Sequence, residues 1–151
     1  MIVTIMLIVS LSLNAESTIR PTYLHDTAGI IDPYYESIIE EYLGAVDFGT
    51  SVEIVVYTIP SFVGHGIMKD GREIVDRDTL ANYLFNEVSL NGIKGIGKKG
   101  KDNGILILYS VKPDSAGGSM RIEVGRGLEG NITDGSAGNI LDSYLVPARV
   151  L

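Results

Sequence analysis

The chain has 151 residues, carries 19 acidic against 12 basic side chains for a net charge of −7, and contains 18 glycines and no cysteine. That length suits one domain with a real core and is too short for two ordinary domains. The acidic balance, with a pI near 4.7, argues against nucleic acid as a partner; the absent thiols exclude a disulfide framework or a cysteine zinc site; and the glycine content predicts a loop-rich α/β domain.

From Ile2 to Leu13 the sequence is apolar and uncharged, and it ends in small polar residues around Asn14, Ala15 and Ser17. The run is too short to span a bilayer as a helix of about 20 residues. It suits the apolar region of a secretory signal, with residues 1–15 read as a signal peptide or N-terminal anchor and cleavage expected after Ala15. Leu13 is a poor residue two places before that bond, and a basic segment is missing. The plain alternative is a buried N-terminal strand or helix. Export, to an extracytoplasmic, secreted or membrane-associated location, is the expectation.

Residues 20–151 read as a single domain. A short extended stretch, TIRPTYLHDTAGI, leads to a first helix capped by Asp32 with Pro33 at its first position. Tyr35, Ile38, Ile39, Tyr42, Leu43 and Val46 recur at helical spacing and predict a core-facing side. The run SVEIVVYTI (Ser51 to Ile59) predicts a strand covered on both faces, ended by Pro60. After a glycine-containing loop, DRDTLANYLFNEV predicts a second helix capped by Asp76 or Asp78, with Leu80, Tyr83, Leu84 and Val88 inward. NGIKGIGKKGKDNG then leads into a buried strand, GILILYS (Gly104 to Ser110). A turn at PDSAGGS returns the chain as SMRIEVG, where Met120, Ile122 and Val124 alternate with Arg121 and Glu123 as in a half-exposed strand. Thr133 or Asp134 caps a last helix carrying Ile140, Leu141, Tyr144 and Leu145. The order α-β-α-β-β-α predicts a three-layer α/β/α sandwich, a small mixed sheet with helices on both faces and a Rossmann-like look. Its first two strands should be parallel and its last two an antiparallel hairpin.

Two stretches imitate phosphate loops. GRGLEG spells G-x-G-x-x-G between a strand and a helix, but the chain ends at Leu151 before another strand can form, and Glu129 would oppose a pyrophosphate at the helix start. No nucleotide is expected there. GIKGIGKK, from Gly92 to Lys99, has Lys99 where magnesium coordination needs Ser or Thr, and it follows a helix rather than a strand. It reads as a basic exposed loop.

The acidic residues are more informative. In an antiparallel hairpin the start of GILILYS, with Asp102 and Asn103, shares a sheet edge with the end of the next strand, where Glu129 follows. Asp134 opens the helix after it. Three carboxylates, an Asn and free loop carbonyls are the hard oxygen donors of calcium or magnesium, and clustered like charges call for a cation. Asp102 also fits plain turn chemistry, and Asp134 fits a first-turn acid on the helix dipole. Asp26 precedes the first helix and by this topology lies nearer the other edge. His25 and His65 have no third nitrogen or sulfur ligand and read as surface or loop residues, no serine stands in a nucleophile motif, and Asn131-Ile132-Thr133 is a glycosylation sequon.

Asp26-Thr27-Ala28-Gly29-Ile30-Ile31, VEIVVYTI, YLFNEV, IGKKGKDNGILILYS and RIEVGRGLEGNITD together resemble the TPM domain, a family named for a thylakoid lumen protein, a photosystem II repair protein and a worm receptor modulator. The resemblance covers Tyr23 to Pro147. It implies an exported, often membrane-tethered α/β/α domain that binds a divalent cation, typically calcium, with acid phosphatase activity claimed for some members and absent from others. Carried over residue by residue, it points to Asp26, Asp102, Glu129 and Asp134 as metal ligands. NEVSLNGIKGIG lacks the Trp usual in the family, and the family pattern continues past Pro147, so a truncated or minimal form is expected. The expected function is a calcium-binding accessory, assembly or repair factor for membrane protein complexes; the alternative is a metal-assisted acid phosphatase acting on phosphate monoesters.

Overall fold

The computed structural model describes residues 22–90, 92 and 94–145; the apolar leader with its expected cleavage after Ala15, and Pro147 at the far end, lie outside the described residues. Among the described residues no helix is long and apolar enough to cross a membrane. A four-stranded sheet organises the domain: β1 (Leu24–Asp26), β2 (Glu53–Ile59), β5 (Gly104–Ser110) and β6 (Met120–Val124), side by side in that order. β1, β2 and β5 are parallel, whereas β6 returns antiparallel to β5, with Ile105 opposite Val124 and Tyr109 opposite Met120. The expected parallel pair and hairpin are both present, and the fold is a mixed α/β sandwich.

Two helices make the connections between parallel strands. α1 (Pro33–Thr50) starts where Asp32 accepts a hydrogen bond from the Tyr34 N–H, and it stops at Ser51, which turns left-handed at φ 65°. α2 (Arg77–Asn86) is capped by Asp76, whose carboxylate accepts from the Thr79 N–H at 2.7 Å and hydroxyl at 2.6 Å. These bonds satisfy donors that a helix start leaves open, and they hold the Asp76 carboxyl below its usual range.

The core lies between α2 and one face of the sheet. Leu80, Ala81 and Leu84 pack there with Val55, Ile59, Leu106 and Leu108, and Phe62, Ile74 and Ile96 close the ends. The pairing of Val55 with Leu106 and of Tyr57 with Leu108 places these side chains on one face, as strand alternation requires. The same register sets Glu123 opposite Leu106 and Arg121 opposite Leu108. The polar side of β6 therefore faces α2 instead of open solvent, and Arg121 bonds Glu123 at 2.9 Å and approaches Asp78 of α2 at 3.7 Å.

Several sequence expectations change. α1 was expected to bury one broad apolar side, yet Leu43 is its one fully buried residue, and Tyr35, Ile38 and Tyr42 are exposed. Two features go beyond the sequence reading, which had only an extended stretch before α1 and a glycine-containing loop after β2. β1 is a three-residue strand, and the connection before α2 carries a small hairpin, β3 (Met68–Lys69) with β4 (Arg72–Glu73). Asp70 and Gly71 turn it with φ of 51° and 77°, the sign pattern of a type I′ turn. His65 is a pin in that connection: Nδ1 accepts from the Ile67 N–H at 3.0 Å while Nε2 reaches the Ile74 carbonyl at 2.9 Å, and the side chain is buried. Glu73 accepts from the N–H groups of Gly64 and Gly66, which lowers its carboxyl pKa. The final helix is short, α3 (Asp134–Ile140), capped by Thr133 and continued by a wide turn, Leu141–Leu145, that packs on β6.

Candidate functional site

The hairpin of β5 and β6 brings two loops to the same end of the sheet. Before β5 the chain passes through Asp102 in a left-handed conformation, φ 48°. After β6 it passes through Gly125 into a 3₁₀ turn at Arg126–Leu128. The Gly125 N–H bonds the Gly104 carbonyl at 2.8 Å, and the Gly127 N–H bonds the Asp102 carbonyl at 3.0 Å. A Cβ at Gly125 would overlap the Asp102 carbonyl, and one at Gly127 would overlap the Lys101 carbonyl, whereas one at Gly130 would meet nothing. The first two glycines of GRGLEG thus permit backbone to lie against backbone. That role needs no nucleotide.

Above this contact lies a cleft. Asp102, Glu123 and Glu129 line it, together with Asn82 and Asn86 of α2 and four cations, Lys94, Lys98, Lys99 and Arg126. Three of these seven charges already have partners. Lys98 bonds Asp47 of α1 at 2.6 Å and Lys94 bonds Glu87 at 2.6 Å; the latter pair lowers the Glu87 pKa and raises that of Lys94. Glu123 is held by Arg121, whose pKa it raises. The carboxylates of Asp102 and Glu129 have neither a hydrogen bond nor an ion pair among the described residues.

The other expected donors stand elsewhere. Asn103 is buried and fully engaged: its Oδ1 accepts from the Lys98 N–H at 2.9 Å and its Nδ2 donates to the Ser51 carbonyl. It clamps the loop and is not a free ligand. Asp26 pairs in register with Thr58, which pairs with Tyr109, so it sits at the opposite end of the sheet from Asp102, roughly 20 Å away at the usual strand rise. Both its oxygens are used, one by the Thr58 hydroxyl and the other by the Ile31 N–H at 2.8 Å. Asp134 opens α3 and contributes to the field that raises the Arg121 pKa, but it does not line the cleft. Among the described residues no three His, Asp or Glu side chains form a ready metal-holding group.

The TPM domain pattern matches residues 24–149. The chain belongs to the TPM domain family. A solved structure with the same fold is the N-terminal domain of a protein from P. gingivalis, determined by solution NMR: 23% identity, a TM-score of 0.51, and coverage of 84% of this chain and 68% of that one. No curated protein is a significant match. In this TPM domain the expected turn acid, Glu129, does reach the cleft with Asp102. Arg126 was expected to flank the turn; what sequence reasoning missed is that the lysines of the glycine-rich loop face the same cleft. Lys94 and Lys99 come from the loop before β5 and Arg126 from the turn after β6, two segments that the β5–β6 hairpin brings to one end of the sheet.

Proposed function

We propose that this TPM domain binds a divalent cation, calcium in the first instance and magnesium as a competitor, in the cleft between the start of β5 and the turn after β6. The supporting observation is the convergence on one cleft of Asp102 and Glu129, two carboxylates unpaired among the described residues. Carboxylate and loop carbonyl oxygens are the donors such ions prefer. With two carboxylates and the remaining positions left to water, affinity falls in the weak range of about 10⁻⁴ to 10⁻³ M. Asp134 acts on this reading as a charge at the rim, and Asp26 serves the β1–α1 connection. With export through the apolar leader, the domain is an accessory module for membrane protein complexes. Calorimetric titration of calcium into the protein tests the proposal: Asp102→Asn and Glu129→Gln should each remove the binding heat, and absence of any heat at millimolar calcium rejects it.

A second reading rests on the cations of the same cleft. Lys99 and Arg126 would orient a phosphate monoester and Glu129 would direct water, and an ion held beside Asp102 would supply polarisation of a phosphoryl oxygen. Hydrolysis of a phosphate monoester that is lost in Glu129→Gln supports acid phosphatase activity; turnover that survives the substitution places it elsewhere.

A further inference from the structure

The outer side of α1 carries an aromatic stripe that has no covering element among the described residues. Tyr34, Tyr35, Ile38 and Tyr42 are 69, 59, 45 and 67% exposed, and their three-, four- and seven-residue spacings align them along one side of the helix. The rings of Tyr34 and Tyr35 meet edge to face with centroids 5.3 Å apart, forming a continuous ledge. Contiguous apolar surface of this kind marks an interaction site.

The charge around the stripe specifies the occupant. α1 contains acidic residues and neither Lys nor Arg. Glu40 and Asp47 are committed to the start of β1 and to Lys98. Asp32, three residues before Tyr35, and Glu41, three beyond Ile38, leave a carboxylate on each flank of the stripe. A second copy of α1 would set acid against acid, an anionic lipid surface would be repelled, and the apolar run Ile2–Leu13 has no charge with which to answer the carboxylates. Guanidinium and ammonium groups satisfy both features, because they pair with carboxylates and stack on tyrosine faces. We propose that this side of α1 docks a cationic amphipathic helix of a protein partner, with Leu or aromatic anchors over Ile38 and Arg or Lys over the tyrosines and Glu41.

The probe is a synthetic amphipathic peptide of Leu and Arg at helical spacing, with a Leu and Glu peptide of the same pattern as its counterpart. Titration into the full chain, followed by amide NMR shifts, should move α1 resonances with the Arg peptide and leave them with the Glu peptide. Tyr34→Ala and Tyr42→Ala should each weaken binding about tenfold, the scale of an aromatic hot spot. Glu41→Lys should weaken it similarly and confer binding of the Glu peptide, whereas Asp142→Lys, the same charge change outside α1, should leave the response to both peptides unchanged. Equal loss in the two Lys variants reduces the effect to net charge and overturns the proposal. So do shifts that map away from α1, self-association through α1, or equal binding of the two peptides.

Discussion

α1 and α2 both connect parallel strands and both rest on the sheet, but they are attached by different physics. α2, with 10 residues, inserts Leu80, Ala81 and Leu84 into the main core, where all three are almost fully buried. α1, with 18 residues, fully buries Leu43 alone and is tied down by polar groups. The Glu40 carboxylate accepts the N–H groups of Tyr23 and Leu24 at 2.7 to 3.1 Å. Asp47 accepts from the Tyr23 hydroxyl at 2.9 Å and from the Lys98 ammonium at 2.6 Å. Helical periodicity reports that a helix has an apolar side. It does not report what covers that side.

Breaking the apolar attachment should cost most. Leu84→Ala leaves a cavity between α2, β2 and β5 and should destabilise the domain by about 2–5 kcal/mol in urea unfolding. A cost well under that range would mean the core collapses around the gap. Breaking the polar attachment should cost less and act locally. Glu40→Ala leaves the N–H groups of Tyr23 and Leu24 without their acceptor on the outer side of β1, a loss of about 2 kcal/mol for bonds to a charged group. Hydrogen exchange should accelerate at Leu24 before it does at Leu106. If both amides accelerate together, α1 is not separately clasped and the contrast between the helices fails.

The same contrast explains which parts of the molecule are legible in the sequence. β2, β5, β6 and α2 follow from hydrophobic period and caps because burial decides them: GILILYS is a strand wherever it is covered, and Asp76 starts a helix that Leu80 and Leu84 must dock. β1 was legible only as an extended stretch and not as a sheet strand, since Leu24–Asp26 is held by register with Val56–Thr58 and by Glu40, 16 residues away from Leu24. The β3–β4 hairpin hides for a related reason. Its Asp-Gly turn is a strong signal, but the two-residue strands beside it show no alternation. At the cleft, Glu129 and Asp102 could be joined by the hairpin topology alone. The role of Asn103 could not, because Asn before a glycine reads equally as turn, ligand or clamp, and only its bonds to Lys98 and Ser51 decide among them.

A smaller effect should follow pH. The Tyr23 phenol is pushed up from 10.0 to about 12, first by burial and then by its hydrogen bond to Asp47. A raised pKa means that the folded state favours the protonated phenol. Its stabilising contribution is complete below pH 10 and is lost as pH rises towards 12. Tyr23→Phe should be less stable than the native protein at pH 8, and the gap should close between pH 10 and 12. A gap that stays constant over that window would show that the Tyr23–Asp47 bond does not help hold α1.

The smallest effect belongs to the outer stripe of α1. Tyr42→Ser and Ile38→Ser remove apolar side chains that the fold leaves in water, so each should change stability by no more than about 0.5 kcal/mol. The comparison with α2 is sharpest here, because Leu84 and Ile38 occupy equally regular apolar positions and differ only in what lies over them. A loss of 2 kcal/mol or more in Ile38→Ser would mean that another part of the chain covers the stripe in solution. Stability unchanged, with weakened binding of the Leu and Arg peptide, would assign the stripe to a partner, for the residues a fold does not need for its own core are those whose loss appears only when the second molecule is present.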